Sequence, residues 1–203
     1  MKVSNNVRIA KNSLFLYFRL ILTLIVSLYS SRVVLDTLGL ENFGIYSVVG
    51  GLVLMFTFLN STLSAATSRF LTFELGILNS LNFSKIFKTA ITINISVAII
   101  LLILAETLGL WFFENKLVIP PEKLFASRVV YQVSLLTAIL LVLRIPYNAA
   151  VIAHEKMSFF SYISVLEVFL KLIILYILVI GDLDKLILYS VLILCISIII
   201  NGF

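Results

Sequence analysis

Three cations lie well inside apolar stretches of this chain: Arg19, Arg144 and Lys171. A charge at the centre of a membrane helix costs about 2.5–3.5 kcal/mol on insertion scales, so such groups belong in a protein interior or a water-filled cavity. Each cation shares a helical face with hydroxyls or amides. Arg19, Thr23, Ser27 and Ser30 follow one another at steps of three and four, and Ser134, Thr137, Arg144 and Asn148 fall on one side of another helix. Ser164, Glu167 and Lys171 make a third such face, and Thr57, Asn60 or Ser61, Ser64 and Ser68 a fourth. Glu167 is the clear counter-charge among these groups. A cavity with surplus positive charge and a lining of Ser, Thr and Asn suits an anionic, hydroxyl-rich ligand. An organic cation would call for buried acids or an aromatic cage instead. The candidate cavity residues are Arg19, Thr23, Asn60, Ser64, Arg144, Asn148 and Lys171. A guanidinium offers paired donors that match phosphate oxygens, so Arg144 is the expected phosphate contact.

Other readings of the same residues are open at this stage. Ser and Thr stripes also serve simply to let helices pack closely. Glu167 and Lys171 are four apart and can neutralise each other. Arg19 and Lys171 are near enough to helix ends to snorkel. For Arg144 that is a weaker account, because Pro146 falls in the same turn and Asn148 on the same side. Proline frees a carbonyl and kinks the helix, tolerable where neighbours or water satisfy the backbone.

Composition excludes several function classes. The chain of 203 residues is 62% hydrophobic and 12% charged, with a mean hydropathy of +1.17. Soluble domains carry roughly 25% charged residues, so the expected class is an all-α polytopic membrane protein. The net charge of +5 is dispersed, without the basic and aromatic clusters that nucleic-acid binding needs. One histidine (His154, beside Glu155 and Lys156) and one cysteine (Cys195, in an apolar run) cannot form a metal cluster or an internal disulfide. No catalytic residue, metal or cofactor is expected.

The elements that must position these residues follow in order. The basic start with Lys2, Arg8 and Lys11 is not a signal peptide, because the apolar run after it is long and contains Arg19. Six membrane helices are expected over roughly 12–34, 43–67, 89–113, 129–153, 159–180 and 186–203, making one transmembrane domain over 1–203. A polar turn from Asp36 to Asn42 separates the first two, and Gly50-Gly51 lies inside the second. Residues 69–88 form a polar connection. Thr89, Thr92 and Ser96 share a face of the third helix, which ends with Glu106 near interfacial Trp111, Phe112 and Phe113. The loop from Glu114 to Arg128 contains Pro120-Pro121 and cannot continue a helix. The sixth helix has 18 residues, about 27 Å against a hydrocarbon core of about 30 Å. With a cytoplasmic N-terminus, seven Lys and Arg lie inside and five outside, the favoured sense of that bias.

The run RIAKNSLFLYFRLILTLIVSLYSSRVVLDTLGLENFGIYSVVGGLVLMFTFLNSTLSAATSRFLTFELG resembles the start of oligosaccharide flippases of the Wzx type. These belong to the multidrug/oligosaccharidyl-lipid/polysaccharide exporter superfamily, which is MATE-like. PYNAAVIAHEKMSFFSYISVLEVFLKL (Pro146 to Leu172) and LDKLILYSVL, opening the sixth helix, are similar too. The resemblance implies a multi-pass inner-membrane protein that moves an undecaprenyl-diphosphate-linked oligosaccharide between leaflets. Such export serves O-antigen, capsule or related surface polysaccharides, with a polysaccharide polymerase as a further partner. It also implies two six-helix lobes, of which this chain supplies the N-terminal one, so a truncated or partial chain is expected. A multidrug exporter lobe is the neighbouring alternative, but it calls for an aspartate or comparable acid in the first helix. A non-transporting fragment is the other.

Overall fold

The computed structural model describes residues 5–54, 59–77, 80–180 and 184–202, without the side chains of 5–12, 52–54, 59–60, 80–81, 157–158 and 160. Among the described residues eight α-helical stretches follow one another: α1 (Asn5–Leu54), α2 (Leu59–Gly76), α3 (Ser80–Leu104), α4 (Leu110–Lys116), α5 (Leu124–Leu143), α6 (Ile145–Ala153), α7 (Met157–Ile180) and α8 (Lys185–Asn201). A π-helical turn, Ala105–Gly109, joins α3 to α4, and a 3-10 turn, Pro121–Lys123, opens α5. No strand occurs among the described residues. Among the described residues, four stretches are long and apolar enough to cross a membrane: Ser13–Gly51, Asn82–Lys116, Pro121–Ala153 and Ser161–Ile180. Lys185–Asn201 is apolar but shorter.

α1 is two limbs rather than one rod. Gly39 has φ 78 and ψ 164, a backbone region that in practice only glycine occupies. The break falls inside the polar turn expected at 36–42. Asn42 donates its side-chain amide to the Leu38 carbonyl at 3.1 Å, satisfying an acceptor that the break would otherwise leave open. At about 1.5 Å per residue, a straight helix would set Ser30 and Gly50 about 30 Å apart. Both line one cavity, so the limbs turn back toward each other at Gly39.

The limbs of α1, with α5, α7 and α8, enclose the main core of Val34, Leu38, Val49, Val130, Tyr131, Leu178 and Leu186. α2, α3 and α6 form the other side of the molecule. There Leu71, Ala149 and Ala153 pack with Phe83 and Phe87, while Ala98 and Leu101 pack with Val142 and Ile145. Small residues at those positions let the helices approach closely, which is how helices associate when lipid is as apolar as they are. The outer surface is strongly apolar, with Ile21, Ile25, Ile99, Ile103 and Phe169 all more than half or about half exposed.

The helix expected over 43–67 is helical over 43–54, as the second limb of α1, and over 59–67, in α2; residues 55–58 lie outside the described residues. Two other expectations require correction. The polar connection expected over 69–88 is helical to Gly76 and again from Ser80. Arg69, Lys85 and Lys88 are exposed on those helices. Lys, Arg and Glu are good helix formers, so their charge marks a wet surface and not a helix end. The fourth helix begins at Leu124 and breaks at Arg144, where Pro146 cannot donate to the preceding turn.

Candidate functional site

The first limb of α1 brings Thr23, Ser27, Ser30 and Ser31 onto one side, because these positions recur at helical spacing. The second limb adds Tyr46, Ser47 and the Gly50-Gly51 pair. α5 contributes Ser134 and Thr137, α7 contributes Glu167 and Lys171, and α8 contributes Tyr189, Ser190 and Ser197. Together they wall a cavity of about 590 Å³, within the range of small-molecule sites. A groove lined by Arg19, Thr23, Ser27, Ser164, Glu167 and Lys171 continues from it, and the two share Thr23, Ser27, Glu167 and Lys171.

Glu167 stands at the junction. Its Oε1 lies 2.9 Å from Lys171 Nζ and its Oε2 lies 3.7 Å from Arg144 Nη1. Arg19 Nη1 donates to Ser164 Oγ at 3.3 Å, about one turn from Glu167 on the same helix. Two cations thus hold one carboxylate, and Arg19 shares the groove with it. Arg19, Lys171 and Glu167 line the cavity or its groove, a formal sum of +1, and Arg144 adds its charge from behind the wall. Arg144 is the most enclosed, with its side chain 14% exposed, against 32% for Glu167 and 43% for Lys171.

Aromatic and small residues complete the wall. Tyr46 and Tyr189 meet edge to face, with ring centroids 4.9 Å apart. A Cβ added at Gly50 or Gly51 would meet nothing within 4 Å, so those glycines leave open space in the cavity. The Ser30 hydroxyl is buried in this wall and has no hydrogen-bond partner among the described residues.

The structure gathers Arg19, Thr23 and Lys171 on the cavity and its groove. Arg144 pairs with Glu167 and lines neither space, so it does not stand where a direct ligand contact was expected of it. Its position at the α5–α6 break turns the side chain toward α7. Asn148 lies on α6 and Ser64 on α2, and neither borders the cavity. α6 packs against α2, carrying that face away from α1 and α8. Thr57 and the Asn60 side chain lie outside the described residues. The stripe of Thr89, Thr92 and Ser96 is exposed on α3, its hydroxyls bonded to their own helix carbonyls at 2.9, 3.1 and 3.0 Å. Such back-bonding lets a hydroxyl face lipid at small cost, so a stripe of threonines alone does not mark a cavity. Tyr46, Tyr189, Ser190 and Ser197 are wall residues that the periodicity argument missed. No buried charge on the second limb of α1 or within the body of α8 drew attention to them.

A second polar feature lies near the far end of α3. Tyr131 donates its hydroxyl to the Ala105 carbonyl at 2.7 Å, at the start of the π turn, and Gly109 leaves the room for it. Gln132 Nε2 lies 3.4 Å from Glu106.

No family model, curated protein or solved structure matches this chain.

Proposed function

We propose that this chain is a transport lobe for a lipid-diphosphate-linked oligosaccharide, acting as a flippase of the Wzx type in surface polysaccharide synthesis. The observation that carries this reading is the cavity and its groove: hydroxyl-rich, lined by Arg19 and Lys171 against the single carboxylate of Glu167, and enclosed by long apolar helices. A diphosphate has the opposite charge, and a glycan offers hydroxyls to the Ser and Thr wall. Tyr46 and Tyr189 provide ring faces against which the apolar side of a sugar can pack. The apolar outer surface supports placement in the bacterial inner membrane, with an N-terminus on the cytoplasmic side by the Lys and Arg distribution. A polymerase would receive the flipped glycan. The multidrug alternative has no support in the first limb of α1, where the sequence holds no acid between Ser13 and Ser31.

The test is reconstitution into liposomes with a fluorescent polyprenyl-diphosphate disaccharide, scored by the fraction of label open to an impermeant quencher. Protein-dependent flipping is expected for the diphosphate lipid and not for an uncharged glycolipid of equal size. Lys171→Ala and Arg19→Ala should each slow it by about tenfold, the loss of about 1.4 kcal/mol of contact. Equal flipping of the charged and uncharged lipids would overturn the reading.

A further inference from the structure

Glu167 has so far served only as a counter-charge, but its two cations are placed differently. Arg144 is enclosed behind the wall, with its side chain 14% exposed, whereas Lys171 is 43% exposed and borders both the cavity and the groove. The carboxylate holds Lys171 at 2.9 Å and Arg144 at the looser 3.7 Å. An anion arriving through the cavity therefore meets a lysine that already has a negative partner. We propose that Glu167 is a resident competitor: a ligand phosphate replaces its carboxylate at Lys171, and the carboxylate stays with Arg144. The device keeps anion binding weak enough to reverse, which a carrier needs and a storage site does not. This inference rests on the anion-binding reading of the preceding subsection.

Charge arithmetic gives the proposal a distinctive signature. Changing the carboxylate to an amide raises the local formal charge from +2 to +3, counting Arg19, Arg144, Lys171 and Glu167. The Coulomb free energy gained by a ligand scales with the ligand's own charge. A dianion should then gain twice the free energy of a monoanion, so its fold-change in affinity is the square. An uncharged ligand should gain nothing. A carboxylate that merely braces α7 against the α5–α6 break predicts the opposite sign, because its loss would let Lys171 and Arg144 drift and weaken anion binding.

The experiment measures binding to the purified full chain in lipid nanodiscs. Three synthetic probes share a farnesyl chain and a glucose, joined directly, through one phosphate diester, or through a diphosphate diester. Glu167→Gln is expected to tighten the diphosphate probe about tenfold and the monophosphate probe about threefold, leaving the uncharged probe unchanged. Glu167→Asp, which withdraws the charge from Lys171 by one methylene, should tighten both charged probes by a smaller factor. It carries the test if the amide variant does not fold. Unchanged or weakened binding of the charged probes in these variants would overturn the competitor role and leave Glu167 as a brace. Wild-type protein that binds all three probes equally would instead overturn the anion reading beneath it.

Discussion

At the scale of single residues, Arg144 shows how a charge can be recognised in a sequence and still be misplaced. Its burial among apolar residues and its neighbourhood to Pro146 were legible, and both follow from the cost of a charge in lipid. Glu167 was legible as the one clear counter-charge, but not which cation it would hold, because it lies 23 positions from Arg144 and its helical face equally well serves Lys171. The guanidinium pairs with Glu167 and stays off the cavity wall, so its removal should act on stability first. Arg144→Ala is expected to lower unfolding free energy in detergent by on the order of 1–3 kcal/mol, the usual scale for a broken partly buried network. Arg144→Lys should recover much of that, since the charge is kept while the fork is lost. An unchanged thermal midpoint for Arg144→Ala would mean the ion pair contributes nothing to the fold.

At the scale of elements, helix periodicity located the apolar runs well, and breaks were legible where a residue enforces them. Gly39 and the Pro120-Pro121 pair are such places. The π turn at Ala105–Gly109 was not legible, since no local residue demands it; its carbonyl is taken up by Tyr131, 26 positions away. A π turn inserts a residue and leaves a backbone carbonyl open to a side chain, and here Gly109 makes the space for the phenol. Tyr131→Phe should cost about 1 kcal/mol for the lost hydrogen bond. Gly109→Ala alone should cost about 1–3 kcal/mol, because its methyl would overlap the Tyr131 hydroxyl. The double variant should lose less than the sum of the two, as contacting residues couple. Thermal unfolding of all four proteins in one detergent closes the cycle; strict additivity would show that the hydroxyl and the glycine do not share this space.

At the scale of the whole molecule, two groups of helices divide the work. α2, α3 and α6 pack through small and apolar residues, while both limbs of α1 with α5, α7 and α8 surround the polar cavity. Sequence stripes predicted a polar interior but assigned part of it to α2 and α6, because equal periodicity cannot say which neighbour a face will meet. The decisive feature is the fold-back at Gly39, which sets Ser27 and Ser31 opposite Ser47 and Gly50. Water in that space, between helices apolar enough for lipid, is what any passage of a charged glycan requires. Cysteine accessibility in native membranes measures it directly, with the exposed Cys195 first replaced by serine. Cysteines placed singly at Ser27, Ser47 and Ser197 should react with a charged, membrane-impermeant thiosulfonate and be protected by the diphosphate probe. Cysteines at Ile25 and Ile103, exposed on the apolar exterior, should not react. Unreactive cavity positions alongside reactive exterior ones would contradict a water-filled polar cavity between these helices.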